Sequence, residues 1–172
     1  MSDRYGDFVQ SSIGKKVAKN LGLPQPVSLD RFESGQRLVR GSVLVGRAEG
    51  DDMSVSNSVA RILSDLHAEV YVNSRDDAKD ALIEAGIEAK ANTGSKDKFK
   101  VLLFDASNIS NADQLKQVYE FFHQVARSVE KSGRVVMISS SAGKYPNAAL
   151  IDYGATKAAM ISMSKSLARK YG

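Results

Sequence analysis

The feature that most constrains the fold is a series of short apolar runs, each followed by a longer segment with helical spacing. Such runs are typical of buried strands, whereas apolar residues three and four positions apart indicate helices. Strands that alternate with helices predict a doubly wound parallel sheet, because parallel strands need a crossover connection. The predicted strands cover 42–45, 69–73, 101–106 and 135–138, with a weaker strand over 87–91.

Helices are expected between these strands and also before the first of them. The predicted helices cover 5–21, 54–66, 76–85, 113–130 and 153–171. Gly22 and the prolines that follow it end the first helix, and residues 29–40 are expected to form a connecting loop. We therefore expect an amino-terminal helical extension and linker, residues 1–40, and an α/β domain over residues 41–172.

Composition narrows the classes of function. A chain of 172 residues can bury a sizeable core, and its net charge of +4 mildly favours anionic partners. The chain has no cysteine, which excludes disulfides and thiolate chemistry, and its two histidines, His67 and His123, lack a second ligand at metal spacing. The basic residues are scattered, which argues against nucleic acid. No run could span a bilayer and no signal peptide is evident, so we expect a cytoplasmic protein.

Three side chains with complementary chemistry surround the last predicted strand. Ser140 follows the apolar run 135–138, and Tyr153 and Lys157 stand four residues apart at the start of the next helix. Residues four apart share a helical face. Ligands of open α/β sheets bind at the carboxyl edge of the strands, where the serine lies. A hydroxyl, a phenol and an ammonium are thus expected to meet there.

This trio suits proton transfer to a carbonyl oxygen. A phenol has an ordinary pKa of about 10, and a nearby ammonium lowers it. A tyrosine tuned in this way can give a proton to a carbonyl oxygen as hydride reaches the carbon, or accept one in the reverse reaction. A serine hydroxyl can hold the same oxygen in place.

The stretch from Gly133 to Ala168 resembles the short-chain dehydrogenase/reductase family and, within it, the 3-oxoacyl-acyl-carrier-protein reductases. The resemblance implies a Rossmann or flavodoxin-like sheet. It also implies that Tyr153 is the proton donor, that Lys157 is its pKa partner and a ligand of the cofactor ribose, and that Ser140 orients the carbonyl. Ser141 is the second candidate for that last role.

The turn after the first strand departs from the family pattern Thr-Gly-x-x-x-Gly-x-Gly. Gly46 and Gly50 match its first two glycines and are the candidate cofactor-binding residues, but Val45 replaces the threonine and Asp52 replaces the last glycine. That glycine normally permits close approach of the pyrophosphate. Asp51 and Asp52 instead suit the amino terminus of a helix, where they would occupy the place of a phosphate. We therefore predict a capped structural turn, with a variant cofactor loop as the alternative.

Further departures follow the later strands. The family's Asn-Asn-Ala-Gly corresponds to residues 104–107, where only Ala106 matches, and the family's helical asparagine has no clear counterpart. Asn108 and Asn111 look like loop or N-cap residues. After the second strand the acidic ribose ligand is absent, and Arg75 would suit a 2′-phosphate, so the expected cofactor is NADPH.

The extension and the altered turn resemble the amino-terminal, flavodoxin-like domain of the high-molecular-weight 3-oxoacyl-acyl-carrier-protein reductases. In that case the sheet is incomplete at its carboxyl end, and further strands are expected in a longer parent protein. One hypothesis is an NADPH-dependent 3-oxoacyl thioester reductase. The alternative is a non-catalytic assembly domain with a relic cofactor site, the chemistry residing in a second domain. A flavodoxin-like flavin binder is a third and weaker option.

The resemblance also implies partners. The substrate would be an acyl thioester on acyl-carrier protein or coenzyme A, with neither nucleic acid nor membrane involved. Helices 113–130 and 153–171 form a dimer interface in the family. An apolar stripe on these segments could serve either the core or a dimer, and the resemblance implies a homodimer or a higher oligomer through these helices.

Overall fold

A computed structural model describes residues 4–25, 33–73, 90–92 and 98–171. The chain forms two compact units, Met1–Ser34 and Gly35–Gly172. The first contains helices α1 (Arg4–Gln10) and α2 (Ser12–Asn20). The second contains β1 (Ser42–Arg47), α3 (Ser54–Asp65), β2 (Glu69–Asn73), β3 (Lys90–Asn92), β4 (Phe99–Asp105), α4 (Leu115–Val125), β5 (Val129–Ile138) and α5 (Ile151–Tyr171).

The five described strands form one parallel sheet in the order β3-β2-β1-β4-β5. This confirms the predicted α/β fold with a doubly wound parallel sheet of the Rossmann type. The strand order reverses direction between β1 and β4. A crevice at the carboxyl ends of these two strands is the place where ligands bind in such sheets.

Successive strand residues point to opposite sides of the sheet, so the apolar strands present an apolar surface on both faces. Helices cover each of these faces. Val43 and Val45 of β1 pack in one apolar cluster with Ala60 of α3, whereas Leu44, which lies between them, packs in the other cluster. That second cluster carries the large aromatic side chains and joins the sheet to α4 and α5. Its buried residues include Phe99, Leu102, Phe104, Val118, Phe121, Phe122, Val125 and Met160.

The end of β1 packs unusually closely against α4. A Cβ atom added at Gly46 would lie 2.2 Å from the ring of Phe121, a separation that no real side chain tolerates. The Phe121 ring in turn packs against Phe104 of β4, with ring centroids 4.9 Å apart. Gly46 therefore has a packing function in this chain, beside the cofactor contact that the sequence predicts for it.

Several boundaries agree with the predictions and others do not. The strand over 69–73 is confirmed, and the helix predicted over 54–66 is confirmed to within one residue. The single helix predicted over 5–21 is wrong, because Ser11 has extended backbone angles and its Oγ accepts a hydrogen bond from the Gly14 amide, which starts a second helix.

The helix predicted over 113–130 is too long at both ends. It begins and ends in short 3-10 turns, Ala112–Gln114 and Ala126–Ser128, and residues 129–130 already belong to β5. Because β5 starts early, its pairing register with β4 shifts between Phe99 and Val101. In this part of β5, Ser132 has a φ of 64°. Similarly, β4 begins at Phe99 and not at residue 101, because Phe99 is buried in the core.

Two other predicted segments fall largely on residues that the structure does not describe. The helix predicted over 76–85 lies outside the described residues. The weak strand over 87–91 is described only from residue 90, where β3 begins. Among the described residues, none of the helices combines the length and the apolar character needed to cross a membrane.

Candidate active site at the carboxyl edge of the sheet

The site is organised around a buried lysine. Lys157 lies in the second turn of α5, and its side chain is 0% exposed. Its ammonium Nζ donates hydrogen bonds to the carbonyl oxygen of Ala106 at 2.6 Å and to that of Ser107 at 3.4 Å. These carbonyls directly follow the end of β4. The lysine thus ties α5 to the carboxyl edge of the sheet.

Tyr153 lies one helical turn before Lys157 and is half-buried. The Lys157 Nζ atom is 5.1 Å from the centre of the Tyr153 ring, a distance at which an ammonium and an aromatic ring attract each other. Burial lowers the pKa of Lys157 from its ordinary value of 10.5, and the negative charge of Asp105 acts in the opposite direction. The predicted pairing of these two side chains on one helical face is present in the structure.

The serine turn packs on the same part of α5. The Ser140 Oγ atom accepts a hydrogen bond from the Ala142 amide at 3.2 Å, which caps a 3-10 turn over Ser141–Gly143. A Cβ atom at Gly143 would lie 2.6 Å from the Lys157 backbone, so this close approach requires glycine. The structure therefore brings the Ser140 turn against the helix of Tyr153 and Lys157. Ser141, the second candidate, is exposed.

A buried carboxylate lies at the end of β4, beside the lysine's carbonyl acceptors. Asp105 is 2% exposed. Its Oδ2 atom accepts a hydrogen bond from the Ser56 hydroxyl at 2.6 Å, and its Oδ1 atom accepts one from the Ser107 amide at 2.9 Å. Ser56 belongs to the first turn of α3 and is itself buried. Two hydrogen-bond donors, one of them from the first turn of α3, thus satisfy both carboxyl oxygens of Asp105 in the interior.

The turn after β1 is closed by side chains of the protein. Asp52 Oδ1 accepts the Ser54 amide at 2.9 Å, and hydrogen bonds from the Ser54 hydroxyl and amide lower the pKa of Asp52. The Glu49 amide donates to Gln117 Oε1 at 2.7 Å. Asp52 therefore binds the first amide of α3, but the predicted N-cap role is wrong, because the cap residue is Met53, which makes no side-chain cap hydrogen bond.

Gly50 is also enclosed. Its φ of 148° lies in the region that favours glycine, and an added Cβ atom would be 2.7 Å from the Asn108 side chain. The amide of Asn108 donates to the Asp52 carbonyl at 2.8 Å, and Arg47 donates to the Gly50 carbonyl. The space beside Gly50 is thus occupied by the Asn108 side chain.

The two ends of the site differ in how well they fit a nicotinamide dinucleotide. At the end of the site beside α5, Ser107 Oγ is buried and has no hydrogen-bond partner among the described residues, so a polar ligand group could satisfy it. Tyr153 and Lys157 lie on the adjoining helix. At the other end, the amides of Glu49 and Ser54 are already paired, and Asp52 adds negative charge. This turn does not fit a pyrophosphate in its present form.

The remaining predicted residues fall in different places. Arg75 lies outside the described residues. Asn111 caps the 3-10 turn before α4 through a capping box with Gln114, which confirms its expected N-cap role, and Asn108 is a loop residue as expected. No group of three histidine or acidic side chains in the described ranges could hold a metal ion.

Asp105 is the part of the site that the sequence reasoning did not identify as functional. The sequence shows it only as a mismatch to the family's asparagine. The available signal was an acidic residue that ends a run of buried strand residues, at the edge where ligands bind. Its partner Ser56 gives no comparable signal, since a serine in the first turn of a helix is common.

Residues 91–172 match the short chain dehydrogenase family model. The matched segment contains Ser140, Tyr153 and Lys157 and covers a little under half of the chain; the turn at residues 46–52 lies outside it. The match shows that this segment of the chain is similar to short-chain dehydrogenases. Comparison with curated proteins gave no significant match.

The buried lysine leads to a prediction about stability. The pKa of Lys157 is lower in the folded state than in the unfolded state, so the unfolded chain binds more protons between these two values. The free energy of unfolding should therefore gain a contribution as pH rises from the folded-state pKa toward 10.5, and Lys157→Met should lack this contribution. Urea unfolding at several pH values between neutrality and 10.5 measures the difference.

Lys165→Met is the matched control, because Lys165 is an exposed lysine on the same helix. Its unfolding free energy should follow that of the wild type at every pH. Wild-type and Lys157→Met curves that remain parallel throughout would contradict the prediction.

Proposed function

We propose that the chain provides the catalytic edge of an NADPH-dependent reductase of 3-oxoacyl thioesters, carried on acyl-carrier protein or coenzyme A. The observation that carries the proposal is the grouping of Tyr153 with the buried Lys157 at the carboxyl end of β4. The 3-oxoacyl substrate and the preference for NADPH come from the sequence resemblance and from Arg75. A nicotinamide cofactor, when bound, supplies hydride to the ketone carbon.

The side chains of this site have distinct roles in the proposed reaction. Tyr153 donates its phenolic proton to the ketone oxygen. The positive charge of Lys157 then stabilises the tyrosinate that is left, which lowers the barrier for proton transfer. Ser140 orients the ketone oxygen with its hydroxyl, which must turn from its present role as a cap of the 141–143 turn. We assign contact with the cofactor ribose to the Lys157 ammonium, as the sequence resemblance implies, and to Ser107 Oγ, whose buried hydroxyl has no partner among the described residues.

The proposed reaction is tested by removing the phenolic hydroxyl of Tyr153. Tyr153→Phe should lower kcat for reduction of an acetoacetyl thioester by about 10²- to 10⁴-fold, with little change in KM, because it removes the proton donor and keeps the ring. Tyr5→Phe is the control, since Tyr5 is an exposed tyrosine on α1. Oxidation of NADPH followed by absorbance measures both. Equal rates for Tyr153→Phe and the wild type would exclude the assigned role.

Cofactor binding is tested separately at the turn after β1. Asp52→Gly removes a carboxylate, frees the Ser54 amide and restores the family's third glycine. NADPH should therefore bind at least about tenfold more tightly than to the wild type, a difference of about 1.4 kcal/mol. Fluorescence titration at low salt measures the affinity. Asp51→Gly is the control, because it removes the same charge from an exposed position in the same turn.

The titration distinguishes three cases. Wild-type binding in the micromolar range without a gain in Asp52→Gly would mean that the closed turn does not hinder the cofactor. Binding that appears only in Asp52→Gly would identify a relic cofactor site and place the chemistry in another domain of the parent protein. Absence of binding in both proteins would contradict the proposed use of NADPH by this segment.

A homodimer through α4 and α5 is part of the proposal. A groove of about 270 Å³ runs between the two helices, and Tyr119, stacked on His123, is 60% exposed beside it. An apolar surface of this kind is suited to packing against its own copy across a two-fold axis. The apolar side chains that line it are Val118, Tyr119, Phe122, Met163 and Leu167.

We expect the wild-type chain to sediment as a dimer and Tyr119→Glu to shift the equilibrium toward the monomer, because the new carboxylate would be buried in the interface. Ile62→Glu is the control, as Ile62 is a similarly exposed apolar residue on α3. Analytical ultracentrifugation over a range of concentrations measures the association. A similar loss of dimer in both variants would argue against this interface.

A further inference from the structure

The buried cluster at the end of β4 contains a charge that the proposed reaction does not use. Asp105 is held in the interior by Ser56 and by the Ser107 amide, although a buried carboxylate is costly without a compensating positive group. The two carbonyls that hold the Lys157 ammonium belong to the next two residues, Ala106 and Ser107. The carboxylate and the ammonium thus occupy the same short segment of the sheet edge.

We infer that Asp105 is a positioning residue that keeps the Lys157 ammonium charged beside Tyr153. The Ser56 hydroxyl of α3 donates a hydrogen bond to the Asp105 carboxylate. The Ser107 backbone contacts both charged groups, because its amide donates to Asp105 and its carbonyl accepts from Lys157. The Lys157 ammonium in turn lies 5.1 Å from the centre of the Tyr153 ring. This arrangement connects the first turn of α3 to the catalytic helix through four side chains. The family pattern has an uncharged asparagine at this position, so the proposed effect of a carboxylate on Lys157 is specific to the sequence of this chain.

The charges around Lys157 support this assignment. Among the described residues, the titratable groups placed against it are Asp105, from the end of β4, and Tyr153, from its own helix. The 141–143 turn that packs on the lysine backbone contributes no charged side chain, and the exposed Lys144 after it lies over the Tyr145 ring. Asp105 is therefore the negative charge available to offset the burial of the ammonium.

The catalytic consequence rests on the proposed function, but the charge of Lys157 can be measured without catalysis. Lysine side chains labelled with ¹³C at the ε position report their own protonation by NMR, and Lys157→Met identifies the signal. We expect Asp105→Asn to lower the pKa of Lys157, because the amide keeps the shape and removes the charge. Asp52→Asn, the same substitution at an exposed position of the same sheet edge, should leave that pKa unchanged.

Equal pKa values of Lys157 in Asp105→Asn and in the wild type would overturn the inference. If Asp105→Asn does not fold, Asp105→Ser is the second variant, because serine also removes the charge and is smaller than aspartate. The pKa of Lys157 should fall in this variant as well. A Lys157 pKa equal to that of the wild type would equally overturn the inference.

Activity gives a readout that separates the two proposals. If the chain reduces the ketone, Asp105→Asn should lose activity at a lower alkaline pH than the wild type, since a neutral Lys157 no longer stabilises the tyrosinate. A lowered Lys157 pKa in a chain without reductase activity would support the role of Asp105 and contradict the proposed reaction. An unchanged Lys157 pKa in a chain with reductase activity would support the proposed reaction and contradict the role of Asp105.

Discussion

The burial of the Lys157 ammonium is the interaction on which the rest of the site depends. An ammonium that is removed from water needs acceptors in fixed positions, and the carbonyls of Ala106 and Ser107 supply them at the end of β4. This requirement fixes the position of α5 against the sheet. The position of Tyr153 follows from it, because the two residues share one helical face. The Ser140 turn follows as well, through the close approach of Gly143 to the lysine backbone.

At the same edge of the sheet, the backbone amides of the turn after β1 are already paired with acceptors of the protein and are not free for a ligand. In a phosphate-binding turn the amides after the first strand remain free for the ligand. Here the Ser54 amide is bound by the carboxylate of Asp52, and the Glu49 amide by the side chain of Gln117. Each of these hydrogen bonds stabilises the turn. A phosphate that bound the same amides would have to break them, and their contribution to the stability of the turn would be lost. The internal pairing therefore opposes a cofactor at this end of the site.

The elements of the fold could be predicted from the sequence wherever the residues that are buried also follow the spacing typical of a strand or a helix. The apolar run of β2 and the helical spacing of α3 placed both elements almost to the residue. The errors arose where a local cap or a tertiary contact decides the boundary, as with Ser11, whose hydroxyl starts a new helix inside an uninterrupted apolar pattern. Likewise, β5 begins earlier than its apolar run, because Val129 already pairs with Phe99 across a shifted register.

For the site, the sequence placed Tyr153 and Lys157 together because a helix fixes the spacing of its own residues. It could not show that Lys157 is buried or that Asp105 offsets its charge, since both facts depend on contacts between residues about fifty positions apart. The glycine turn is an intermediate case. The substitution by Asp52 indicates a capped turn, but the part that Asn108 and Gln117 play in closing it arises only from the packing of the following loop and α4.

The two acidic substitutions have opposite consequences for a reductase. Asp105, in place of an uncharged side chain, favours the charged form of Lys157 and so supports the proton transfer assigned to Tyr153. Asp52, in place of a glycine, fills the phosphate-binding turn and repels a phosphate. Both act through negative charge at the carboxyl edge of the sheet, and they differ because one carboxylate lies beside a buried cation and the other lies at the mouth of the anion site. The two carboxylates therefore act in opposite directions on the proposed reaction: Asp105 supports its proton transfer, and Asp52 opposes binding of the cofactor that would supply the hydride.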